Sequence, residues 1–408
     1  MVAIVTAGGL MAGCGSSKSN STATTAGGST ATTASGGTSG SGGGTSGSPY
    51  VLGAIETESS AATLQNNSDV SSTLKDFEKY VNANGGVNGH PLKVIAIDDK
   101  GNPATSESAF QTLKGDNALA IVDGTELDSA WASQAATANI PVLCGEMVAD
   151  DFTCSNNADF FPAGGSVLPE LYGDFAAAKA AGATYVGAVY CTEIAACKQS
   201  LPIYTGFTQA LGLKYATPLA ASETAPNYTS QCEIFAGEKV QAVFPAGPPS
   251  VKFAGDCAQQ GYKPIYIEAS GTWENAFLSD SNLNNSTGTV ADIPWTVTNT
   301  PATQAFHSAV GNLINTSFSP YNVITTWAAG LLFEAAAKSA GASPTSSDIV
   351  NGLYALHGET LGGFAPPLTY TRGKTHTVPY FFELAIKNGQ WVSPNNGAPV
   401  SDPIATAS

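Results

Sequence analysis

No feature of this 408-residue chain constrains its fold more than residues 74–103, LKDFEKYVNANGGVNGHPLKVIAIDDKGNP. Val70, Leu74, Phe77 and Val81 recur at steps of four, three and four, which places them on one face of an amphipathic helix. Asn84-Gly85-Gly86 supplies residues that tolerate the left-handed conformation closing a helix, and Asn88-Gly89 adds a second tight turn. Residues 92–97, LKVIAI, then read as a strand, apolar enough for a sheet covered on both faces. Asp98-Asp99 ends it, and Gly101-Asn102-Pro103 opens another helix with proline in its first turn. Helix, turn, buried strand and new helix make one unit of an α/β fold.

The same alternation runs along much of the chain. Further strands are expected over 50–55, 118–122 and 140–143, then over 185–190, 213–219, 240–244 and 264–267. Helical patterns over 168–181, 201–211, 229–237 and 250–261 separate the second series. Strands alternating with helices of this length mean right-handed βαβ units and parallel sheets. Two runs of four strands, with Phe161-Pro162-Ala163-Gly164-Gly165 between them, point to two similar lobes. Past Trp295 the pattern turns helical, over 303–314, 323–340 and 346–356, and ends in a hairpin with 380–386 as one arm and Asn388-Gly389 as its turn.

A chain this long exceeds one ordinary core, so two domains with appendages are expected. A net charge of −16 disfavours nucleic acid and anionic membrane surfaces as direct partners. No apolar run reaches the ~18–20 residues of a membrane-spanning helix. Residues 2–11 form a short apolar run followed by Ala12-Gly13-Cys14-Gly15, which resembles a bacterial lipoprotein signal cut before a cysteine that then carries lipid. Met11 stands three places before Cys14, where such a box has leucine, and no Lys or Arg precedes the run. The true start codon is therefore expected upstream. Residues 15–49, almost all Ser, Thr, Gly and Ala, cannot bury enough apolar area to offset ordering and read as a flexible tether.

Beyond Cys14 stand Cys144, Cys154, Cys191, Cys197, Cys232 and Cys257, an even set behind an export signal. Sequence alone leaves their pairing open, although the spacings favour local bridges, Cys144 with Cys154, Cys191 with Cys197 and Cys232 with Cys257. No C-x-x-C pair exists and the histidines (His90, His307, His357, His376) are scattered, so no metal or other cofactor is expected.

There is no P-loop, no H-E-x-x-H, no G-x-S-x-G outside the tether and no glycine fingerprint after the first strand. In parallel sheets ligands bind outside the carboxyl ends of the strands. That rule nominates Glu56 and Thr57, Thr125, Glu126 and Ser129, and Glu146 in the first lobe, with Thr192, Ser270 and Trp273 in the second. Trp131 and Trp273 offer rings on which a ligand could stack. Asp98-Asp99 fits capping of the loop after its strand better than a catalytic carboxylate pair.

Residues 82–92, NANGGVNGHPL, followed by Asp98-Asp99, resemble the N-A-x-G-G-I-x-G … D-D signature of solute-binding proteins of the branched-chain amino acid ABC transporter type. The resemblance spans roughly residues 50–395. It takes in Ile121-Val122-Asp123-Gly124 with Ser129, Ile140-Pro141-Val142, Asn227-Tyr228-Thr229, and an altered form of the family's Y-D-A helix from Asn322. It implies the type I periplasmic binding protein fold, two Rossmann-like lobes with parallel sheets joined by a three-crossing hinge. Lobe 1 would comprise 50–165 and 295–360, and lobe 2 166–294 and 361–400, after a signal segment over 1–14. It also implies a non-enzymatic, monomeric receptor at the bacterial cell surface or in the periplasm. Such a receptor is held to the membrane only by its lipid and delivers a small solute to an ABC permease. The family's 124–129 loop grips a ligand carboxylate; here it carries Glu126 and Asp128, which would repel a bare carboxylate. An amine-bearing or neutral polar solute, such as an amino acid, a related amine or an amide, is therefore expected. A sensor partner of a membrane receptor and a tethered hydrolase are the alternatives.

Overall fold

A computed structural model of the chain describes residues 45–58, 69–125, 127–144, 154, 157–193 and 195–404, with only the backbone at 195 and 196. The first lobe runs β1 (Tyr50–Glu56), α1 (Asp69–Ala83), β2 (Leu92–Asp98), α2 (Pro103–Gly115), β3 (Ala120–Gly124), α3 (Ala132–Ala138), β4 (Val142–Cys144) and β5 (Phe160–Pro162). The expected face of α1 is the buried one, with Val70, Leu74 and Phe77 at 0% exposure. Its sheet is parallel throughout, in the order β2-β1-β3-β4-β5. Two expectations need correcting. Phe160–Pro162 is a fifth strand of this sheet rather than part of the link between lobes. β2 lies at the sheet edge, so of its residues only Leu92 is buried.

The second lobe runs α4 (Val167–Ala180), β6 (Tyr185–Cys191), α5 (Ala195–Gln199), α6 (Leu201–Ala210), β7 (Lys214–Tyr215), β8 (Leu219–Ala221), α7 (Thr229–Glu238), β9 (Ala242–Ala246), α8 (Ser250–Gln259), β10 (Ile265–Glu268) and β11 (Thr287–Val290). With β7 and β8 both pairing β6, the order β7/β8-β6-β9-β10-β11 repeats that of the first sheet, again parallel. The single strand expected over 213–219 is two short ones, separated at Pro218, which has no N–H to give a ladder. The chain then forms α9 (Pro301–Val310), α10 (Leu313–Thr316), α11 (Pro320–Ala337) and α12 (Ser346–Tyr354), with α1 packed against α11. A small pair, β12 (His357–Glu359) and β13 (Leu368–Thr369), precedes the hairpin of β14 (Tyr380–Lys387) and β15 (Gln390–Val392), and β16 (Val400–Ser401) pairs with β14. The hairpin joins lobe 2, because β14 runs antiparallel to β11.

Three segments connect the lobes. The first, 163–166, leaves the carboxyl end of β5; the second, 291–300, leaves the carboxyl end of β11; the third, 370–379, returns from β13 to β14. Backbone bonds lace them together, Gly165 N–H donating to Ala291 O at 2.8 Å and Ser166 N–H to Val378 O at 3.1 Å, while Ile293 N–H donates to Phe364 O, between β12 and β13, at 2.9 Å. The Tyr370 hydroxyl donates to Pro162 O at 2.6 Å. All three disulfides favoured by the spacings form, Cys144–Cys154, Cys191–Cys197 and Cys232–Cys257, with Cα separations of 6.4, 5.6 and 5.0 Å.

Close packing of α12 on α11 depends on Gly352, where an added Cβ would sit 1.9 Å from Ala336 O. Gly352→Ala should cost about 1–3 kcal/mol by overpacking, read as a lower urea midpoint. Gly255→Ala on α8, where a Cβ meets nothing within 4 Å, should be neutral or stabilising.

Candidate functional site

Because every strand in β1–β5 and in β6–β11 is parallel, the exits of the first two crossings from β5 and β11 fix the geometry. The carboxyl ends of both sheets lie on the side of the connections. In each sheet the order reverses between a central pair, β1 with β3 and β6 with β9, where doubly wound folds place ligands.

In lobe 1 the register aligns Glu56 with Asp98 and Gly124, so the next residues, Thr57, Asp99 and Thr125, meet. All three are buried. Thr57 Oγ1 donates to Asp99 Oδ1 at 2.8 Å, Thr125 Oγ1 donates to Asp99 Oδ2, and the two hydroxyls are 3.1 Å apart. Gly101 N–H donates to Asp99 Oδ1 at 2.8 Å, while Thr125 Oγ1 accepts from Leu127 N–H at 3.1 Å. The protons of both threonines are thus committed to Asp99, which ties three strand ends into one rigid edge. Asp98 accepts from Glu58 N–H at 3.1 Å and Lys100 N–H at 2.8 Å, the capping role expected of this pair.

Glu56 also faces inward: its Oε2 accepts from Ser71 N–H at 2.8 Å, in the first turn of α1. Burial pushes its carboxyl up to about 7, with Glu58 and Asp98 adding to the effect. Glu58, Lys100 and Ser129 are exposed polar side chains of this wall among the described residues. Glu126 and Glu146 lie outside the described residues.

On lobe 2, Thr192 is exposed in the short loop closed by Cys191–Cys197. Glu193 organises that loop, accepting from Thr192 N–H at 2.9 Å, Ser222 Oγ at 2.5 Å and Glu223 N–H at 3.1 Å, and the Ser222 bond foremost holds its carboxyl below the usual range. Ser270 is fully buried, and its hydroxyl has no hydrogen-bond partner.

The expectation that tryptophans stack on a ligand is overturned. Trp131 is fully buried between Phe110 and Phe160, stacked at 5.9 and 6.1 Å, and its indole N–H donates to Ser106 Oγ at 3.0 Å. Trp273 is fully buried against Trp391 and Phe277, and its N–H donates to Thr289 O at 2.9 Å. Each ring is core, with its polar atom satisfied inside the protein.

Two carboxyls behind the lobe 2 wall were not foreseen. Glu268, the last residue of β10, accepts from Ser250 Oγ at 2.8 Å and Thr272 Oγ1 at 3.0 Å, and its Oε1 has no partner. Asp174 on α4 accepts from Thr289 Oγ1 at 2.8 Å, and its Oδ2 has none. Burial pushes both up to about 8. Isolated acids inside a helical or strand pattern carry no sequence mark of burial. A groove of about 450 Å³ lined by Ala177, Ile265, Ser286, Glu383 and Lys387 opens where β10 and β11 begin, at the other end of this sheet.

A family model described as periplasmic binding protein matches residues 49–390. The chain belongs to the periplasmic binding protein family. Its fold is the two-lobed type I form, as in several solved structures of the family. A fatty acid ABC transporter substrate-binding protein from Thermomonospora curvata aligns with TM-score 0.69 at 16% identity, covering 90% of this chain and 96% of that one. A branched-chain amino acid ABC transporter protein from Thermus thermophilus with bound valine aligns at 0.70 and 15%, covering 88% and 98%. A solute-binding protein from Rhodopseudomonas palustris BisB5 in complex with 3,4-dihydroxybenzoic acid aligns at 0.66 and 15%, covering 88% and 99%. No curated protein matches the sequence.

The buried carboxyls set a pH dependence. The unfolded chain releases these protons near pH 4, whereas the folded chain holds them to about 8. Their stabilisation is therefore complete at acid pH and lost as pH rises through that interval, at about 1.4 kcal/mol per pH unit for each retained proton. His307 and His376, held down by burial, act in the opposite direction only as pH falls below their ordinary 6.5. Urea unfolding from about pH 6.5 to 8.5 should show falling stability, with a shallower fall in Asp174→Asn; equal slopes would contradict this account.

Proposed function

We propose that the chain is the extracytoplasmic solute receptor of an ABC importer, closing its two lobes on a small molecule and passing it unchanged to a membrane permease. The observation that carries this reading is the arrangement of two doubly wound sheets whose carboxyl ends adjoin the same three connections. A hinge of this kind lets strand-end loops from both lobes close on one ligand. The solved relatives named above are ABC transporter proteins and support the partner class. Their ligands range from valine to a dihydroxybenzoic acid, so they do not select one for this chain.

The ligand class follows from the walls. Among the described residues, Glu58, Lys100 and Ser129 on one side and Thr192 and Glu193 on the other are exposed polar groups at strand ends, and Glu126 and Glu146 add carboxylates to the same loops in sequence. Such a lining favours a solute with an amine or neutral polar groups over a bare carboxylate. A hydrolase has less support. Asp174 and Glu268 are sealed from solvent, and a catalytic carboxylate must reach the reacting bond.

A thermal-shift screen of the full chain against amino acids, polyamines, amides and sugars tests the reading. A true ligand at 100 times its Kd should add about 2.7 kcal/mol of stability. Recovery of a chemically altered compound by mass spectrometry would refute a pure receptor. The anchor has its own test: Cys14→Ala should release the protein from the membrane fraction, and unchanged retention would refute lipidation.

A further inference from the structure

The second connection carries a carboxyl in surroundings that suit only its neutral form. Asp292, two residues beyond β11, is 1% exposed, and its Oδ1 has no hydrogen-bond partner among the described residues. On one side stands Gly164 of the first connection. A Cβ there would lie 2.8 Å from Asp292 Oδ1 and 2.9 Å from Ala291 O, so the two connections touch only because residue 164 is glycine. Tyr370, at the start of the third connection, interacts electrostatically with Asp292, but its hydroxyl proton is given to Pro162 O. Asp292 is therefore placed among all three connections.

Other titratable groups surround this junction. Glu170 of α4 stands beside Gly165, and Glu359 acts on Tyr370. His307 of α9 lies against the backbone of Trp295 and Val297. The His376 ring is 5.2 Å from that of Tyr370, and its Nε2 is 3.1 Å from Ala158 O. None of them hydrogen-bonds Asp292. An ionised carboxylate so placed would leave Oδ1 desolvated without a donor. Burial accordingly holds this acid well above its ordinary range.

We propose that Asp292 is a proton-operated element of the hinge: neutral, it lets the three connections pack as they do here, and ionised, it draws in water and separates them at Gly164. Solute binding in the cleft is then tied to external pH, a regulation that rests on the receptor reading above. The lobe arrangement described here belongs to the protonated form, and alkaline conditions favour a different one.

Amide hydrogen exchange on the full chain tests the device without any ligand. The probes are the amides of Gly165 and Ser166, whose bonds lace the connections, with those of Val122 and Val243 in the two sheets as controls. Comparing wild type with Asp292→Asn at one pH cancels the intrinsic exchange rate. At about pH 6 the two proteins should agree within about twofold. At about pH 9 the hinge amides of the wild type should exchange at least about tenfold faster, with the sheet amides unchanged. Equal rates at both pH values would overturn the proposal. Should the variant not fold, the wild type alone decides: hinge amides must accelerate between these pH values beyond the sheet amides, and a uniform change overturns the device. A failed solute screen leaves this result standing, so the two claims fail separately.

Discussion

A side-chain amide standing in for a strand fastens the first lobe. Asn82, near the end of α1, donates through Nδ2 to Leu92 O at 2.9 Å and accepts from Leu92 N–H at 2.7 Å, as a backbone neighbour would. The turn between them is forced into shape by Gly86, where a Cβ would lie 2.0 Å from His90 O at a φ of +72°. At its tip Asn88 Nδ2 reaches Ala337 O at 2.7 Å and Ala340 O at 3.1 Å, satisfying carbonyls where α11 ends. One short turn thus joins the start of β2, the end of α1 and a helix about 250 residues later. Upstream chain docks on it too, through Ser46 N–H to Gly89 O at 2.7 Å. The run of residues on which the family resemblance rests is a fastening of the scaffold.

Much of the scaffold was readable because it is periodic. Val70, Leu74, Phe77 and Val81 announce the buried face of α1, and cysteine spacing alone favoured each disulfide. The failures have local causes. β5 is three residues long and ends in proline, while β11 is the polar run Thr-Gly-Thr-Val; its burial comes from α4 and β14, far away in sequence. The single helix expected over 303–314 is two, broken at Gly311 with φ of +54°. Strand-end loops could be nominated by the rule for parallel sheets, but a rule of position cannot say which way a side chain turns. Thr57 and Thr125 turned toward Asp99, and Trp131 and Trp273 turned into the core.

The carboxyls near the strand ends differ mainly in how many donors reach them. Among the described residues Asp99 has three, Glu268 two and Asp174 only Thr289, while Asp292 Oδ1 has none. The ion pairs formed among the described residues, Lys79–Asp76 and Lys252–Asp256, lie on α1 and α8, away from all four. Lobe 1 uses Asp99 as a many-armed acceptor that organises backbone. Asp174 and Asp292 have fewer donors, and burial raises them as it raises Glu56 of lobe 1.

The disulfides divide the molecule in the same spirit. Cys144–Cys154 closes a loop within the first lobe, and Cys191–Cys197 and Cys232–Cys257 close loops within the second. No covalent link among these runs from one lobe to the other. Oxidation therefore hardens each jaw while leaving the joint between them uncrosslinked. Any rotation of one lobe against the other must therefore pass through the three backbone segments alone, with no disulfide among these resisting it.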